Sequence, residues 1–365
     1  MAEARSDAPL VTVDARMLES SGIGTYLRAL LPRLISQLDG VRFRLLGAPA
    51  MLARHSFTRA SRVECRPLRA GVYSPLEQVE AALASRGTHV FWSPHVNVPL
   101  AARGRLLVTV HDAFYLEQAR ALGTRRDTRL YLGALMRGVQ RRASGVLCPS
   151  AFTAGELERL LGRFRCPLHV VPNGVDARFF VRAEGERPTP KPYLLYVGNL
   201  KPHKNLPRTL AAFERVASRI PHDFLLVGGG DPSPLSASLS PAVAQRVRFL
   251  GPLEEAPLRL HLSHASGLVL ASLYEGFGLP PLEAMALGVP ALVSRRASLP
   301  EVCGDAALYC DPESVDDIAE GIARLLLDEP TRATLSERGP ARAKSLDWDA
   351  SAALTARVIH DLLRP

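Results

Sequence analysis

Short apolar runs alternate along this chain with longer stretches in which apolar residues recur every three or four positions. The first run, residues 11–13, is followed by a glycine-containing loop and then by apolar residues at helical spacing from residue 23 to residue 38. A continuous apolar run predicts a strand covered on both faces, and the periodic stretches predict the covering helices. The pattern therefore predicts an α/β fold with parallel sheets. Further runs of the strand type are residues 43–46, 90–92, 106–110, 145–148, 168–171, 193–197, 225–231, 247–251 and 268–271.

A charged, proline-rich stretch divides this alternation into two parts. Residues 182–192, RAEGERPTPKP, have no core-facing period and predict a linker. The chain has 365 residues, of which 47% are hydrophobic, and is long enough to bury two cores. We expect an N-terminal domain over residues 1–181, a C-terminal domain over residues 193–346 and a separate final helix over residues 347–365.

The charge balance is basic. Lys and Arg number 45 against 36 acidic residues, which gives a formal charge of +9. This charge suits an anionic partner, whether nucleotide-sugar phosphates, a negatively charged membrane face or nucleic acid. Nucleic acid is disfavoured because aromatic residues make up only 6% of the chain and no recognition motif is found.

The cysteine pattern and the hydropathy of the chain predict the cellular compartment of the protein. The five cysteines are scattered and form no C-x-x-C pair, which predicts reduced thiols in a cytoplasmic protein. The N-terminus has no apolar run of signal-peptide length, and no segment approaches 18 uninterrupted apolar residues. We therefore expect a cytoplasmic protein that meets a membrane, if at all, peripherally and from its inner face.

Residues 120–142 carry seven arginines and one aspartate, interleaved with Leu, Tyr and Met. This pattern predicts a basic amphipathic helix, for which two interpretations stay open. The helix docks on anionic lipid or on a lipid-diphosphate acceptor, or it is a solvated helix that covers the sheet.

A strand end, a glycine-rich turn and a helix start are predicted at residues 271–294, ASLYEGFGLPPLEAMALGVPALVS. Glycines let the backbone approach a ligand, and a helix N-terminus presents unpaired N–H groups and about half a positive charge. Glu275 and Glu283, with seven residues between them, can accept hydrogen bonds from sugar hydroxyls. The alternative is an ordinary strand-to-helix connection in which Glu283 only favours the helix dipole.

The motif E-G-F-G-L-P-P-L-E-A-M-A-L-G-V-P in this stretch resembles the E-x7-E signature of the family 4 retaining glycosyltransferases. Three further segments extend the resemblance, namely residues 171–176 (VPNGVD), 198–205 (GNLKPHKN) and 298–311 (SLPEVCGDAALYCD). The family has the GT-B fold, in which two Rossmann-like α/β domains face each other across a cleft that holds the active site. The resemblance implies this fold here, with the final helix crossing back onto the N-terminal domain.

The resemblance also implies how the C-terminal domain binds a nucleotide-sugar donor. Glu283 would hold the ribose. Glu275, with the backbone of Phe277, Gly278 and Leu279, would contact the sugar hydroxyls and the phosphate.

Residues 198–205 resemble the family's phosphate-binding turn. Lys204 matches the lysine that contacts the donor diphosphate, whereas Asn199 stands where many members have arginine, and Lys201 is the nearby substitute. The leaving nucleoside diphosphate gathers negative charge, so in the absence of a metal the protein must supply positive potential. We expect no metal and no cofactor.

In the N-terminal domain, His111 precedes Asp112 at the end of a predicted strand, where ligands of open α/β sheets bind. The resemblance implies that His111 hydrogen-bonds the transferred sugar, and that the loop containing Gly22 and Gly24 faces the diphosphate and the acceptor. The structural alternatives are a histidine satisfied at a loop and an ordinary turn.

The resemblance implies a retaining hexosyltransferase that acts by same-face attack, with Glu275 and His111 as its catalytic residues. The segments SGIG and VGNLKPHKNL are most similar to the bacterial mannosyltransferase-like branch that builds surface polysaccharides and lipopolysaccharide. GDP-mannose is therefore the first choice of donor and a UDP-sugar the second, with a saccharide or lipid-linked saccharide as acceptor. Two alternatives are a noncatalytic sugar-nucleotide or membrane-binding protein and a nicotinamide oxidoreductase, which the missing G-x-G-x-x-G disfavours.

Overall fold

The computed structural model describes residues 8–72, 74–116 and 126–364. The chain divides into two compact units, one formed by Met1–Asn173 with Trp348–Pro365 and the other by Gly174–Asp347. We call them unit 1 and unit 2. Within the described residues no helix combines the length and the apolar character that a membrane-spanning segment needs.

Unit 1 is built on a parallel sheet whose described strands run in the order β3-β2-β1-β4-β5-β6-β7. The order reverses between β1 and β4, which makes the carboxyl ends of these two strands the place where an open α/β sheet binds ligands. The strands are β1 (Leu10–Asp14), β2 (Arg42–Gly47), β3 (Val63–Pro67), β4 (Val90–Ser93), β5 (Arg105–Thr109), β6 (Ala143–Cys148) and β7 (Leu168–Val170).

Helices cover the sheet of unit 1 as the apolar periodicity predicts. The helix Ile23–Gln37 buries one apolar stripe, including Leu27, Leu30 and Leu34. The helix Trp348–Leu363 packs against it and buries Trp348. The described helices of unit 1 are Ile23–Gln37, Pro49–Leu52, Pro75–Ala84, Arg126–Arg142, Ala151–Leu161 and Trp348–Leu363, with a 3-10 turn at Ser56–Arg59.

Unit 2 repeats the same architecture with a parallel sheet in the order β10-β9-β8-β11-β12-β13. Its strands are β8 (Tyr193–Val197), β9 (Asp223–Val227), β10 (Val247–Gly251), β11 (Gly267–Leu270), β12 (Ala291–Ser294) and β13 (Leu308–Cys310). Its helices are Leu206–Val216, Ser233–Ser236, Pro241–Ala244, Glu255–His264, Leu279–Ala286, Leu299–Cys303, Val315–Leu327 and Glu329–Lys344, and its 3-10 turns are Ala177–Phe180, Pro202–Lys204 and Ala217–Arg219. The prediction of two parallel α/β sheets is confirmed.

The boundary between the units differs from the one that composition suggests. Unit 2 begins at Gly174, although we expected the first domain to extend through residue 181. Val175 donates its N–H to the Leu346 carbonyl at 2.9 Å, and Phe179 is buried in the core of unit 2. A short apolar segment with these partners belongs to the unit whose core it enters.

Residues 182–192, which we expected to link the domains, lie within unit 2. Arg182 donates to the Ser263 carbonyl, and the Ala183 N–H donates to Ser263 Oγ at 2.9 Å. These bonds fasten the start of the stretch to the end of the helix Glu255–His264. A charged, proline-rich composition therefore marks a surface segment here and not a free linker.

Candidate active site

The centre of the site in unit 2 is an ion pair between the loops that follow β8 and β11. Lys204 Nζ lies 2.7 Å from Glu275 Oε1 and 2.8 Å from Oε2, and Ser272 Oγ donates to Oε1 at 2.7 Å. The side chains of Lys204 and Glu275 are only 13% and 11% exposed. Two residues assigned to the diphosphate and to the sugar hydroxyls are thus brought into direct contact.

The loop that carries Glu275 is held by residues outside the E-x7-E motif. Ser298 Oγ lies 2.9 Å from the carbonyl oxygens of both Glu275 and Phe277, and the Leu273 N–H donates to the His203 carbonyl at 2.8 Å. Sequence reasoning did not single out Ser298 because a serine before a short helix is ordinary.

Gly278 forms the sharp turn between this loop and the helix Leu279–Ala286. Its φ is +104°, and a Cβ atom built there would lie 2.6 Å from Leu299 Cδ2. Both conditions require glycine. No side chain caps the helix start, and Pro280 and Pro281 occupy its first turn, so the N–H of Leu279 is left for a ligand. The role predicted for the backbone of Phe277, Gly278 and Leu279 toward the sugar and the phosphate stays a prediction.

Glu283, one turn into this helix, is a half-buried carboxylate that forms no hydrogen bond with the described residues. Burial raises its pKa from 4.5 to about 7, and the negative charges of Glu255 and Asp176 add to the effect. Arg178 forms an ion pair with each of these two carboxylates. Its Nε lies 2.8 Å from Asp176 Oδ1, and its Nη1 lies 2.5 Å from Glu255 Oε1. Glu283 is therefore a carboxyl group with unused hydrogen-bonding capacity.

The turn after β8 rests on the glycine turn after β9. Leu200 donates its N–H to the Gly229 carbonyl at 3.0 Å, and Tyr196 Oη donates to the Asn199 carbonyl at 2.7 Å. The side chains of Asn199 and Lys201 are exposed on this turn, and Asn199 Oδ1 accepts the Lys201 N–H at 3.3 Å. Both predicted donor-binding residues thus lie on a backbone that is fixed by its neighbours.

Asn205 is a buried residue that sequence reasoning missed. It has a left-handed backbone with φ +59°, and its Nδ2 donates to the carbonyls of Ala271 and Pro312 at 2.9 and 2.6 Å. It therefore ties the Lys204 turn to the end of β11, four residues before Glu275. An asparagine after a lysine gave a weak signal, because its partners lie 66 and 107 residues away.

In unit 1, His111 lies just beyond the carboxyl end of β5. Its Nε2 is 2.9 Å from the Pro94 carbonyl, and its ring meets that of Tyr26 edge-on at 4.8 Å. Burial lowers the pKa of His111 to about 4. The imidazole is therefore neutral at neutral pH, and because a carbonyl only accepts, the proton is on Nε2 and the lone pair on Nδ1.

Two glycines, Gly22 and Gly24, lie where the loop before the first long helix meets that helix, and each is required for a different structural reason. Gly22 has φ +70°, whereas a Cβ atom on Gly24 would lie 2.6 Å from the Leu18 carbonyl oxygen. Both positions are explained by the turn itself. Their predicted role toward the diphosphate and acceptor stays a prediction.

The basic stretch 120–142 is described only in part, since residues 120–125 lie outside the described residues. The helix Arg126–Arg142 buries Leu135, Met136 and Val139 in unit 1 and exposes Arg137 and Arg141. The helix thus covers the sheet with one face while it presents arginines on another.

Comparison with known proteins matches both halves of the chain to glycosyltransferase families. Residues 20–179 match the family described as Glycosyltransferase Family 4, and residues 177–342 match Glycosyl transferases group 1. The second match includes all residues that form the Lys204–Glu275 site and the helix carrying Glu283.

Two curated relatives and one solved structure illustrate the similarity. The chain is 37% identical over 162 residues to O-antigen chain mannosyltransferase B of Escherichia coli, covering 43% of this chain and 42% of the relative. It is 29% identical over 294 residues to a glycogen synthase of Mycobacterium tuberculosis (strain CDC 1551 / Oshkosh), covering 76% of this chain and 71% of the relative. Sucrose-phosphate synthase from Thermosynechococcus elongatus superposes with a TM-score of 0.76 at 20% identity, over 97% of this chain and 99% of that one.

Proposed function

The chain belongs to the family 4 glycosyltransferases and has their GT-B fold, and on that premise we propose that it is a retaining hexosyltransferase. It takes a hexose, mannose as first choice, from a nucleotide-diphosphate sugar and delivers it to a saccharide or lipid-linked saccharide. The observation that carries the proposal is the contact of Lys204 with Glu275 beside the open start of the helix Leu279–Ala286.

Unit 2 supplies the donor site in this proposal. The helix start and Lys204 provide positive potential for the diphosphate, with Lys201 and Asn199 on the same turn. Glu275 accepts hydrogen bonds from hydroxyls of the sugar, and Glu283 accepts them from the ribose. The unused hydrogen-bonding capacity of Glu283 supports its role, because a half-buried carboxyl without a bond to the described residues is available to a ligand.

The chemistry that we propose needs no metal and no covalent intermediate. The acceptor hydroxyl attacks C1 of the hexose on the face from which the diphosphate leaves, and the departing phosphate oxygen takes the hydroxyl proton. Charge that develops on the diphosphate is met by Lys204 and by the backbone N–H groups of the turn. His111, neutral and with its lone pair on Nδ1, accepts a hydrogen bond from a hydroxyl of the transferred hexose.

The choice of mannose is supported by relatives, and the choice of GDP by the resemblance of the segments SGIG and VGNLKPHKNL to the mannosyltransferase-like branch. The similarity to O-antigen chain mannosyltransferase B covers 43% of the chain, and a mannosyltransferase of Mycolicibacterium hassiacum is 31% identical over 198 residues. Both support a mannosyl donor, and the O-antigen relative supports a surface polysaccharide as the product.

Calorimetric titration of GDP, UDP and ADP in the presence of EDTA tests the donor site. We expect one nucleoside diphosphate, GDP first, to bind with micromolar affinity, and we expect Glu283→Ala to abolish that binding. Transfer from the matching nucleotide sugar, with the anomeric configuration of the product read by NMR, tests retention. Equal binding of all three nucleotides, or an inverted product, would contradict the proposal.

Peripheral membrane contact through residues 120–142 is part of the proposal for a lipid-linked acceptor. Its support is the exposure of Arg137 and Arg141 on a helix whose other face is buried. Neutralising both to Gln should reduce co-sedimentation with anionic vesicles, whereas neutralising Arg163 and Arg165, exposed elsewhere on unit 1, should not. Unchanged co-sedimentation of the first variant would rule this contact out.

A further inference from the structure

A buried ionic network lies at the carboxyl ends of β1 and β4 in unit 1. Asp14 ends β1 and is fully buried; Arg16 Nε donates to its Oδ1 at 2.9 Å, and Arg16 Nη2 donates to its Oδ2 at 2.6 Å. His95, which is 3% exposed, has its Nε2 3.2 Å from the same Oδ2. Arg16 also reaches Glu77 Oε2 at 3.0 Å.

Such a network is not needed to stabilise the sheet. Taking charges out of water is costly, and well-packed apolar side chains often stabilise a core as well or better. Although burial by itself raises the pKa of Asp14, the hydrogen bonds from Arg16 and His95 hold it well below its usual range. Asp14 is therefore ionised at neutral pH, and it contributes to the fold by holding neighbouring groups in place.

Asp14 holds the loop after β4 in place through its contact with His95. His95 Nδ1 accepts the Asn97 N–H at 3.1 Å, so its proton is on Nε2 and points to Asp14. Ser93 Oγ donates to the His95 carbonyl at 2.9 Å. Both ring nitrogens and the carbonyl of His95 are thus held.

The carbonyl of the preceding residue, Pro94, is the group that accepts the His111 Nε2 proton at 2.9 Å. A displacement of His95 would move this carbonyl and release the imidazole of His111. We propose that Asp14 and His95 are positioning residues for His111, holding the Pro94 carbonyl that keeps its Nδ1 lone pair available. This role rests on the proposed function only where it concerns transfer, because the tautomer of His111 can be observed without turnover.

Two substitutions of His95 separate its two contacts. His95→Asn keeps an oxygen near the Asn97 N–H but does not reach Asp14. His95→Gln keeps an amide donor that reaches toward Asp14. Asp14 stays paired with Arg16 in both variants, so the network retains its charge balance.

The test is the ring nitrogen spectrum of His111 in protein labelled with 15N-histidine, recorded from pH 6 to 8 and assigned by its loss in His111→Gln. We expect the neutral Nε2–H pattern in the wild type and in His95→Gln, and a mixture of tautomers in His95→Asn. In the transfer assay His95→Asn should lower kcat about tenfold while the donor KM stays within about twofold.

The matched control is His89→Ala, which removes an imidazole that accepts the Leu10 N–H at 3.0 Å near the opposite end of β4. We expect no change of the His111 pattern in this control. An unchanged His111 pattern in His95→Asn would overturn the proposal, whatever its activity. If His95→Asn does not fold, the same spectrum is recorded for Ser93→Ala, which removes only the hydroxyl bond to His95. A mixture of His111 tautomers in Ser93→Ala would support the proposal, and an unchanged pattern would overturn it. A wild type that shows the expected pattern but transfers no hexose would contradict the proposed function and leave the positioning intact.

Discussion

The ammonium of Lys204 lies within 2.8 Å of both carboxylate oxygens of Glu275, although 71 residues separate them in sequence. The contact joins the turn after β8 to the turn after β11, the two turns that carry the residues proposed for the diphosphate and the sugar. Because both side chains are only slightly exposed, water screens their charges less than it does at the surface. The two turns are thus held together by the same groups that are proposed to bind the donor.

A double-mutant cycle on this pair should give a clear coupling energy. Lys204→Met and Glu275→Gln each leave one buried group without its charged partner, and the double variant leaves neither. We expect a coupling of about 2 kcal/mol in the free energy of unfolding measured by urea titration. A matched cycle on the exposed pair Arg324 and Asp328 should give a much smaller coupling. Equal couplings in the two cycles would show that burial adds nothing to the Lys204–Glu275 pair.

Glu283→Gln should stabilise the protein at pH 8 and weaken donor binding. The pKa of Glu283 is raised to about 7, so the folded state binds this proton more tightly than the unfolded state does. The contribution of Glu283 to the free energy of unfolding therefore falls as pH rises from about 4.5 to 7 and stays low above that. Gln does not titrate, so its advantage over the wild type should grow across this window, by on the order of 2 kcal/mol.

Thermal unfolding of both proteins from pH 4 to pH 8 measures this difference, and Glu255→Gln, on a neighbouring carboxylate with an arginine partner, serves as the comparison. A constant difference between Glu283→Gln and the wild type at all pH values would contradict the raised pKa. Loss of nucleotide affinity in Glu283→Gln together with a gain in stability is the expected signature of a binding group.

Gly228→Ala should disrupt the donor turn, whereas Gly229→Ala should be tolerated. A Cβ atom on Gly228 would lie 1.8 Å from the Gly198 carbonyl oxygen, and the φ of Gly228 is +144°. Gly229 has no atom within 4 Å of such a Cβ. We expect a loss of about 3 kcal/mol or more in the free energy of unfolding for the first variant and less than about 1 kcal/mol for the second. Similar losses in the two variants would mean that the turns after β8 and β9 are not in contact.

Asn205→Asp should be more damaging than Asn205→Ala, although Asp has the shape of Asn. The amide nitrogen of Asn205 donates to two carbonyl oxygens. A carboxylate oxygen in its place has no hydrogen to donate and would be repelled by both carbonyl oxygens. We expect about 3 kcal/mol of destabilisation at pH 8 for Asp and about 2 kcal/mol for Ala. The pH dependence of urea unfolding provides the check, because the Asp variant should recover part of its stability as pH falls and the carboxylate gains a proton.

Most strands of both sheets coincide with apolar runs in the sequence. The run at residues 193–197, for example, coincides with β8, since a strand covered on both faces must be apolar along its length. β3 was not predicted, because this edge strand is largely exposed and its sequence VECRP has no apolar run. A strand that is exposed over most of its length, as β3 is, need not carry an apolar run.

The sequence singled out candidate site residues one by one but did not predict their contacts with each other. The motif around Glu275 and the turn around Lys204 each carried a local signal, yet nothing in the sequence joins them. The Asp14–His95 contact spans 81 residues and was missed for the same reason. The unit boundary was missed because the segment at Phe179 is too short to show which core it enters.

Unit 1 takes its elements from two distant parts of the chain, and this has a consequence for biosynthesis. The helix Trp348–Leu363 fills the groove beside Ile23–Gln37, while the whole of unit 2 lies between them in sequence. In a growing chain the part of Ile23–Gln37 that contacts Trp348–Leu363, including Tyr26, therefore stays uncovered by that helix until unit 2 has been made, and unit 2 can close its core first. The unit whose residues are synthesised earliest is thus the last to be completed.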